Sequence, residues 1–272
     1  MISRILVAVI GIPLLLFLLL FCPTIGLAMV IGLLSAIAVF ELLGSTGYLQ
    51  RRAMLAATIA LAFLVPLWFY FGASQAVALG ALLLFLMFLF SCAFASGETV
   101  TLGHIGACLL AGVLIPAFLS SFLMISDMEN DKFLILLPFV SAFCSDGTAL
   151  FTGILFGRHK LAPVLSPHKT IEGSIGGFLG SVLACVIYGY VVQALTGVAP
   201  NVPVLALYGV LGSAVSQFGD LAFSYIKRQF DIKDYGHIFL AHGGVLDRFD
   251  SVIFCAPLTT VMVSLLPFFY FT

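Results

Sequence analysis

The chain has 272 residues, of which 62% are hydrophobic and 8% are charged, whereas an ordinary soluble domain has about 25% charged residues. Because so few charged residues cannot cover a water-soluble globule of this length, the composition predicts an all-α integral membrane protein. The formal net charge of −1 offers no basic face to a phosphate backbone, so nucleic acid is not expected as a partner.

Nine segments of the chain are predicted as transmembrane helices, since roughly 20 apolar residues cross a bilayer core. They are residues 5–22, 25–43, 54–72, 75–95, 104–125, 133–156, 173–196, 203–225 and 250–271. The first segment could instead be a signal peptide with Arg4 as its basic flank, but no convincing small-residue cleavage site follows it. We therefore expect one polytopic membrane domain over residues 1–272, with N-terminal helices in residues 1–139 and a catalytic half in residues 140–272.

The distribution of basic residues predicts how these helices are oriented. With the N-terminus in the cytoplasm, nine crossings place four loops on the cytoplasmic side, at residues 44–53, 96–103, 157–172 and 226–249. Together with Arg4, these loops contain ten of the eleven basic residues, and only Lys132 lies on the other side. We expect a multi-pass protein of the cell (inner) membrane whose N-terminus is cytoplasmic, whose C-terminus is outside, and whose long polar loops face the cytoplasm.

Glu41 is the first acidic residue within a predicted span, where an ionisable side chain is costly and is therefore a functional candidate. It ends the second segment, close to Arg51 and Arg52. A side chain in this place either extends to the membrane interface or has a specific role. The sequence leaves both interpretations open.

Two further aspartates, Asp146 and Asp220, lie within the sixth and eighth segments, each on a helical stripe of polar residues. The stripes contain Ser141, Ser145, Thr148 and Thr152 in the sixth segment and Ser213, Ser216, Gln217 and Ser224 in the eighth. Such stripes can simply join helices by hydrogen bonds. Carboxylates surrounded by hydroxyls and amides nevertheless favour a functional interpretation, because Mg²⁺ prefers hard oxygen ligands.

The loop at residues 157–177 reads GRHKLAPVLSPHKTIEGSIGG and combines cationic side chains with glycines. Lys169 follows Ser166 closely, and Gly173 opens the next predicted helix. Glycines at a helix N-terminus can present free N–H groups to an anion, so the pattern suits phosphate. The predicted topology alone also explains a basic loop at this place.

The loop at residues 227–250 reads KRQFDIKDYGHIFLAHGGVLDRFD, and eight of its 24 residues are charged. Gly243 and Gly244 permit backbone conformations that other residues avoid, so a ligand can approach closely. Asp247 and Asp250 lie three residues apart at the start of the last segment, where one of them could cap the helix. Two carboxylates that could share a cation with the aspartate of the eighth segment, beside several basic residues, predict a nucleotide–metal centre.

Three runs of residues in and just before this loop form a signature. They are Ser224-x-Ile226-Lys227-Arg228, Lys233-Asp234-x-Gly236 and His242-Gly243-Gly244-Val245-x-Asp247-Arg248-Phe249-Asp250. The pattern resembles the complete signature of the phosphatidate cytidylyltransferase (CDP-diacylglycerol synthase) family. Another stretch, Ser166-Pro167-x-Lys169-Thr170-x-Glu172-Gly173, resembles a second block of that family. The resemblance covers the chain from about residue 140 to the C-terminus, and the N-terminal half matches mainly in hydropathy.

This resemblance implies a reaction in which CTP and phosphatidate give CDP-diacylglycerol and pyrophosphate at the cytoplasmic membrane face. It also implies a homodimer within the bilayer lipid and a metal centre that combines Mg²⁺ and K⁺ on Asp220 and Asp247. The sequence departs from the family pattern where His168 replaces a usual lysine, Leu150 a tyrosine and Phe223 a glutamate. These departures leave the metal aspartates intact and put the finer nucleotide or lipid selectivity in question.

Asp220 and Asp247 are thus predicted to hold the metal, and the remaining candidates are predicted to act on phosphate or to shape the pocket. Lys227, Arg228 and Arg248 are expected to neutralise the triphosphate or the lipid phosphate, with Lys227 and Arg248 the catalytic cations. Support from the neighbouring loop is expected from Lys169 and Ser166. The residues expected to contact substrate or to form the pocket floor are Ser224, His242, Gly243 and Gly244. The residues expected to bind an ion or to orient the basic side chains are Asp146 and Asp250.

Two other functions fit parts of the pattern. A CTP-dependent lipid kinase would move a γ-phosphoryl group to a polyprenol-type alcohol and would release CDP. A transporter of an anionic substrate would use Asp146 and Asp220 as a relay within the membrane. The paired broken helices or inverted repeats typical of transporters are not evident, and the polar residues cluster on one predicted side of the membrane.

Overall fold

The computed structural model describes residues 13, 15–96, 99–126, 132–236 and 243–270, and these residues are predominantly helical. Within them, eight helices are long and apolar enough to cross a membrane. They are α1 (Thr24–Ser45), α2 (Arg52–Phe71), α3 (Gln75–Ala95), α4 (Leu102–Ser126), α5 (Phe133–Phe156), α6 (Ile171–Thr196), α7 (Val202–Gln229) and α8 (Leu246–Leu265). The predicted class, an all-α multi-pass membrane protein, is confirmed.

These eight helices correspond one to one with the predicted segments from residues 25–43 onward. The first predicted span, residues 5–22, lies mostly outside the described residues, although residues 15–21 are helical. The total of nine spans and the orientation of both termini therefore stay predictions.

The last helix differs most from its predicted bounds, since it runs from Leu246 to Leu265 instead of from residue 250 to 271. It starts earlier because its first turn is charged, and a hydropathy criterion leaves such a turn outside the apolar segment. It ends earlier because Pro267 disfavours the helical conformation of the residue before it. The chain then continues as a short strand at Phe269–Tyr270.

The described chain forms two compact units, and the first comprises residues 1–127 and 234–247. In this unit α1, α2 and α4 pack on one another. Gly32 of α1 faces the backbone of α2, where a Cβ would lie 2.7 Å from the carbonyl oxygen of Phe63. Gly112 of α4 faces Thr58 of α2 at the same calculated distance. Glycine thus allows the helices of the first unit to approach closely.

The second unit comprises residues 128–233 and 248–272, and in it α5, α6 and α7 pack along a seam of small residues. Gly176 and Gly180 of α6 face the threonines of α5. Two serine pairs join α5 to α6 and α7 through their hydroxyls, Ser141–Ser181 at 2.9 Å and Ser145–Ser213 at 2.8 Å. Part of the predicted polar stripe therefore joins helices, which is the structural interpretation that the sequence left open.

Two short antiparallel strand pairs complete the second unit. Strands β1 (Lys160–Ala162) and β2 (Ser166–Thr170) form a hairpin between α5 and α6. Strand β3 (Ala199–Pro200) follows α6, strand β4 (Phe269–Tyr270) follows α8, and the two strands pair with each other. The hairpin matters for function because β2 carries two of the predicted site residues, Ser166 and Lys169.

Candidate active site

An ion pair joins the Ser166–Gly173 stretch to Asp220, which lies four residues before the signature. The Lys169 ammonium on β2 lies 2.5 Å from the Asp220 carboxylate on α7, and both side chains are about a quarter exposed. The Ser224 hydroxyl, one helical turn further along α7, donates to the other carboxylate oxygen of Asp220 at 3.3 Å. The structure thus brings together three predicted site residues from two separate motifs.

Glu172 holds the hairpin that carries Lys169. Its carboxylate accepts hydrogen bonds from the backbone N–H groups of Arg158 at 3.1 Å and His159 at 3.2 Å. The same carboxylate lies 2.6 Å from Nδ1 of His159. The start of the loop is therefore tied to the first turn of α6. Glu172 was not among the predicted site residues, although its place in the first turn of a helix, directly after a basic loop, is a signal for such a contact.

The glycines at the start of α6 serve helix packing. The N–H of Gly173 donates a hydrogen bond to Thr170 Oγ1 at 3.0 Å, so Thr170 caps the N-terminus of α6. A Cβ on Gly176 would overlap Thr152 of α5, and one on Gly177 would lie 3.1 Å from the Ser145 hydroxyl. These glycines allow α6 to approach α5 closely, and phosphate binding at this loop stays a prediction.

Two more carboxylates of the second unit lie near Asp220. The charges of Asp146 on α5 and Asp250 on α8 each interact with that of Asp220, and Lys169 and Lys227 partly offset this repulsion. The Ser251 hydroxyl donates to Asp146 at 3.3 Å, and the Ser251 N–H donates to Asp250 at 2.7 Å. The predicted candidates Asp146 and Asp250 thus belong to one acidic cluster with Asp220.

Arg228 binds backbone oxygens of its own unit. Its guanidinium donates to the carbonyl of Leu165, in the hairpin, and to that of Ile232, after α7, each at 3.3 Å. Arg228 therefore links the hairpin to the end of α7, and its contact with phosphate stays a prediction. Ser166 begins β2 and is partly exposed.

Asp247 organises the other end of the signature, within the first unit. One oxygen of its carboxylate accepts hydrogen bonds from the N–H groups of Tyr235 at 2.8 Å and Gly244 at 2.9 Å. Gly243 has a φ of +79°, which favours glycine, and a Cβ there would lie 2.9 Å from the same oxygen. The Gly-Gly turn therefore folds back onto Asp247. Both N–H donors precede α8, so the helix-capping role considered from the sequence stays a prediction.

Glu41 completes this arrangement, and it lies on the π-helical turn Phe40–Ser45 that ends α1. It is 1% exposed, so its side chain is buried within the protein. Its two carboxylate oxygens accept the N–H groups of Val245 at 3.0 Å and Leu246 at 2.8 Å. These contacts favour a specific structural role for Glu41 over a side chain that extends to the interface, and a role in function stays a prediction. No pattern within the sequence paired a residue of α1 with these amides.

The two predicted metal ligands belong to different compact units. Asp220 belongs to the second unit and Asp247 to the first, so the predicted metal shared by these two residues stays a prediction. His242 lies outside the described residues. Arg248 follows Asp247 in the first turn of α8. Within the described part of the chain, no group of three or more His, Cys, Asp and Glu residues is arranged to hold a metal ion.

Comparison with known proteins places this chain in a family. The model of the cytidylyltransferase family matches residues 2–266. A phosphatidate cytidylyltransferase of Staphylococcus epidermidis is 42% identical over 129 residues, which is 47% of this chain and 48% of that protein. Proteins of the same name are 37% identical in Thermotoga maritima, over 58% of each chain, and 36% identical in Rickettsia felis, over 58% of this chain and 70% of that protein.

The aligned part of this chain spans about half the length of the Staphylococcus relative and somewhat more of the Thermotoga relative. The family model, by contrast, covers nearly the whole sequence, including both motif stretches and the helices before them. The chain belongs to the cytidylyltransferase family.

Proposed function

We propose that the protein is a CTP:phosphatidate cytidylyltransferase, which makes CDP-diacylglycerol and pyrophosphate for phospholipid biosynthesis. The observation that carries the proposal is the ion pair between Lys169 and Asp220, which brings two motif stretches into one polar site on membrane-spanning helices. Family membership and the names of the relatives support the same reaction.

In this reaction an oxygen of the lipid phosphate attacks the α-phosphorus of CTP and forms a new P–O bond. The bond between the α-phosphorus and the bridging oxygen to the β-phosphate breaks, and pyrophosphate leaves. A phosphate monoester is largely dianionic near neutral pH, since its second pKa is about 6. The attacking group therefore needs no strong general base, and the protein has to position the reactants and stabilise charge.

The basic residues of the site supply that stabilisation. Lys169 is already fixed by the hairpin and by Asp220, so little reorganisation is needed when an anion arrives. Lys227 lies near the acidic cluster in the last turn of α7. Together with Arg228 and Arg248, these residues would neutralise the charge of the triphosphate and of the lipid phosphate.

Mg²⁺, with K⁺ as a second cation, is the proposed cofactor, and Asp220 and Asp247 would hold it. Asp220 and the Ser224 hydroxyl beside it supply oxygen atoms of the kind that such an ion binds, and Lys169 holds a positive charge at the carboxylate in the structure. Carboxylate and phosphate oxygens are the ligands that Mg²⁺ prefers. When bound, the ion would neutralise charge on the transferred phosphate.

The proposed location is the cell (inner) membrane, with the polar loops facing the cytoplasm, where CTP is available. Eight membrane-spanning helices and bacterial relatives support this placement. Phosphatidate would keep its acyl chains in the bilayer and enter between helices. We further propose a homodimer as the working assembly.

The test is an assay of the purified full-length protein in phospholipid nanodiscs with labelled CTP, phosphatidate and Mg²⁺. We expect labelled CDP-diacylglycerol and pyrophosphate only when all three are present. Omission of phosphatidate or addition of a chelator serves as the control. Release of CDP with a phosphorylated lipid would identify a lipid kinase instead, and no conversion of CTP would contradict the proposal.

A further inference from the structure

We propose that Glu41 is a positioning residue that fixes the Gly243–Asp247 segment, and with it the Asp247 carboxylate, from a helix about 200 residues away in the sequence. The effect of Glu41 on turnover rests on the proposed function, whereas its effect on the segment does not. Through Glu41, the N-terminal half of the chain would help to position the signature motif.

The contacts of Glu41 are those of an anchor. Its side chain is 1% exposed, and each carboxylate oxygen accepts one backbone N–H, from Val245 at 3.0 Å and from Leu246 at 2.8 Å. A buried carboxylate is costly unless hydrogen bonds compensate for its lost hydration. Two consecutive N–H donors provide that compensation and fix the orientation of the carboxylate plane.

The position of these donors explains why an acidic residue is suitable. Leu246 begins α8, and the first N–H groups of a helix have no partner within the helix. Serine, threonine or aspartate just before the helix usually provides a partner, but here the preceding residues are Gly244 and Val245. Glu41 therefore acts as a remote cap, and its negative charge is also favourable at a helix N-terminus.

Two glycines make room for the carboxylate. A Cβ built on Gly236 or on Gly244 would overlap the Glu41 carboxylate, whose atoms are the nearest neighbours of both positions. Glycine at both positions thus has a physical reason that is independent of any ligand. The segment fits around Glu41 closely enough for a single methyl group to disturb it.

The anchor is coupled to the predicted metal ligand through the chain itself. Val245 and Leu246, whose N–H groups Glu41 accepts, lie between Gly244 and Asp247, which hydrogen-bond to each other at 2.9 Å. A shift of the two middle amides would therefore move both ends of that hydrogen bond. Because a misplacement of about 1 Å can lower turnover by about a hundredfold, the orientation of Asp247 should depend on Glu41.

The experiment compares Glu41→Gln, Glu41→Asp and wild-type full-length protein in nanodiscs, with Ser35→Ala as the matched control. Ser35 is a fully buried residue of α1 whose hydroxyl has no hydrogen-bond partner among the described residues. Hydrogen exchange is measured on the peptide at residues 243–249, together with kcat and KM for CTP and with thermal stability. Glutamine keeps one acceptor oxygen but turns an NH₂ group toward the other N–H donor.

In Glu41→Gln we expect exchange of the 243–249 peptide to be about tenfold faster and kcat to fall by about tenfold or more, with a much smaller change in KM. Glu41→Asp should restore part of both, because the carboxylate is kept on a shorter side chain. Ser35→Ala should behave as the wild type does. Unchanged exchange in Glu41→Gln, or faster exchange with unchanged kcat, would overturn the proposal.

A second comparison tests the same contact from the side of the segment, and its Gly236→Ala variant keeps Glu41 in the chain and can be measured if Glu41→Gln does not fold. Gly236→Ala should accelerate exchange of the same peptide in a wild-type background, because the new methyl group displaces Glu41. In a Glu41→Ala background it should add little, and simple additivity would count against the contact. If the wild type makes no liponucleotide, the proposed function fails, and the exchange measurements still decide the role of Glu41.

Discussion

Asp220 has contacts that a buried structural aspartate would not need. It receives the Lys169 ammonium from one motif and the Ser224 hydroxyl from another, and two further carboxylates lie near it. Concentrating negative charge in this way is unfavourable for folding unless cations arrive to offset it. The arrangement is therefore better explained by ligand binding than by stability.

Asp220→Asn should lower the rate of CDP-diacylglycerol formation by about a hundredfold or more. It should also raise the Mg²⁺ concentration needed for half-maximal activity, because one charged ligand is lost. Thermal stability should change little, since a partly exposed ion pair contributes about 0–1 kcal/mol. Initial rates over a series of Mg²⁺ concentrations, together with a melting curve, check these expectations.

Asp231→Asn is the matched control for this variant. Asp231 is exposed just after α7 and has a φ of +52°, a conformation that asparagine also tolerates. It should retain wild-type activity and Mg²⁺ dependence. Full activity in Asp220→Asn would remove Asp220 from the site, whatever the control shows.

The elements of this protein differ in how far the sequence could predict them. The apolar segments identified eight helices, because hydropathy over about 20 residues is a strong local signal. The β1–β2 hairpin was not predicted, since strands of three and five residues leave almost no periodicity. Glu172 and Glu41 hold backbone N–H groups of other segments, and such pairings depend on tertiary structure that no local pattern reports.

Glu172→Gln should loosen the hairpin that presents Lys169. The neutral side chain accepts more weakly from the N–H groups of Arg158 and His159, and its contact with the His159 ring loses the carboxylate charge. We expect faster hydrogen exchange over residues 157–170 and activity lowered by several fold, with the helices unaffected. Exchange mapped by mass spectrometry, with the assay of CTP conversion, measures both.

Lys160→Met separates this effect from a general loss of charge in the loop. Lys160 is exposed on β1 of the same hairpin. Its removal should leave exchange at residues 157–170 and activity close to those of the wild type. Equal losses in both variants would show that the charge of the loop, and not its attachment to Glu172, matters.

At the scale of the whole molecule, the signature motif does not belong to one compact unit. Residues up to Lys233 and from Arg248 belong to the second unit, whereas residues 234–247 belong to the first. The sequence presents these residues as one continuous stretch, so the family resemblance could be found without the N-terminal half. The dependence of Asp247 on α1 could not be predicted from this stretch, because it arises from contacts of Glu41 within the first unit.

The distribution of basic residues predicts how the whole chain is oriented in the membrane. Ten of the eleven basic residues lie in segments that nine crossings place in the cytoplasm, and moving them across would oppose the positive-inside rule. In a variant without the six native cysteines, we expect His168→Cys to react only with a reagent present on the cytoplasmic side. Asn130→Cys, two residues before Lys132 in the sequence, should react only from outside.

A reporter fused after Thr272 completes the topology measurement. Nine spans place it outside, opposite a tag at the N-terminus, whereas eight spans would place both termini on the same side of the membrane. Reaction of Asn130→Cys from the cytoplasm would contradict the predicted orientation. Agreement of all four positions would place the ion pair of Lys169 and Asp220 on the side where CTP is made, which the proposed reaction requires.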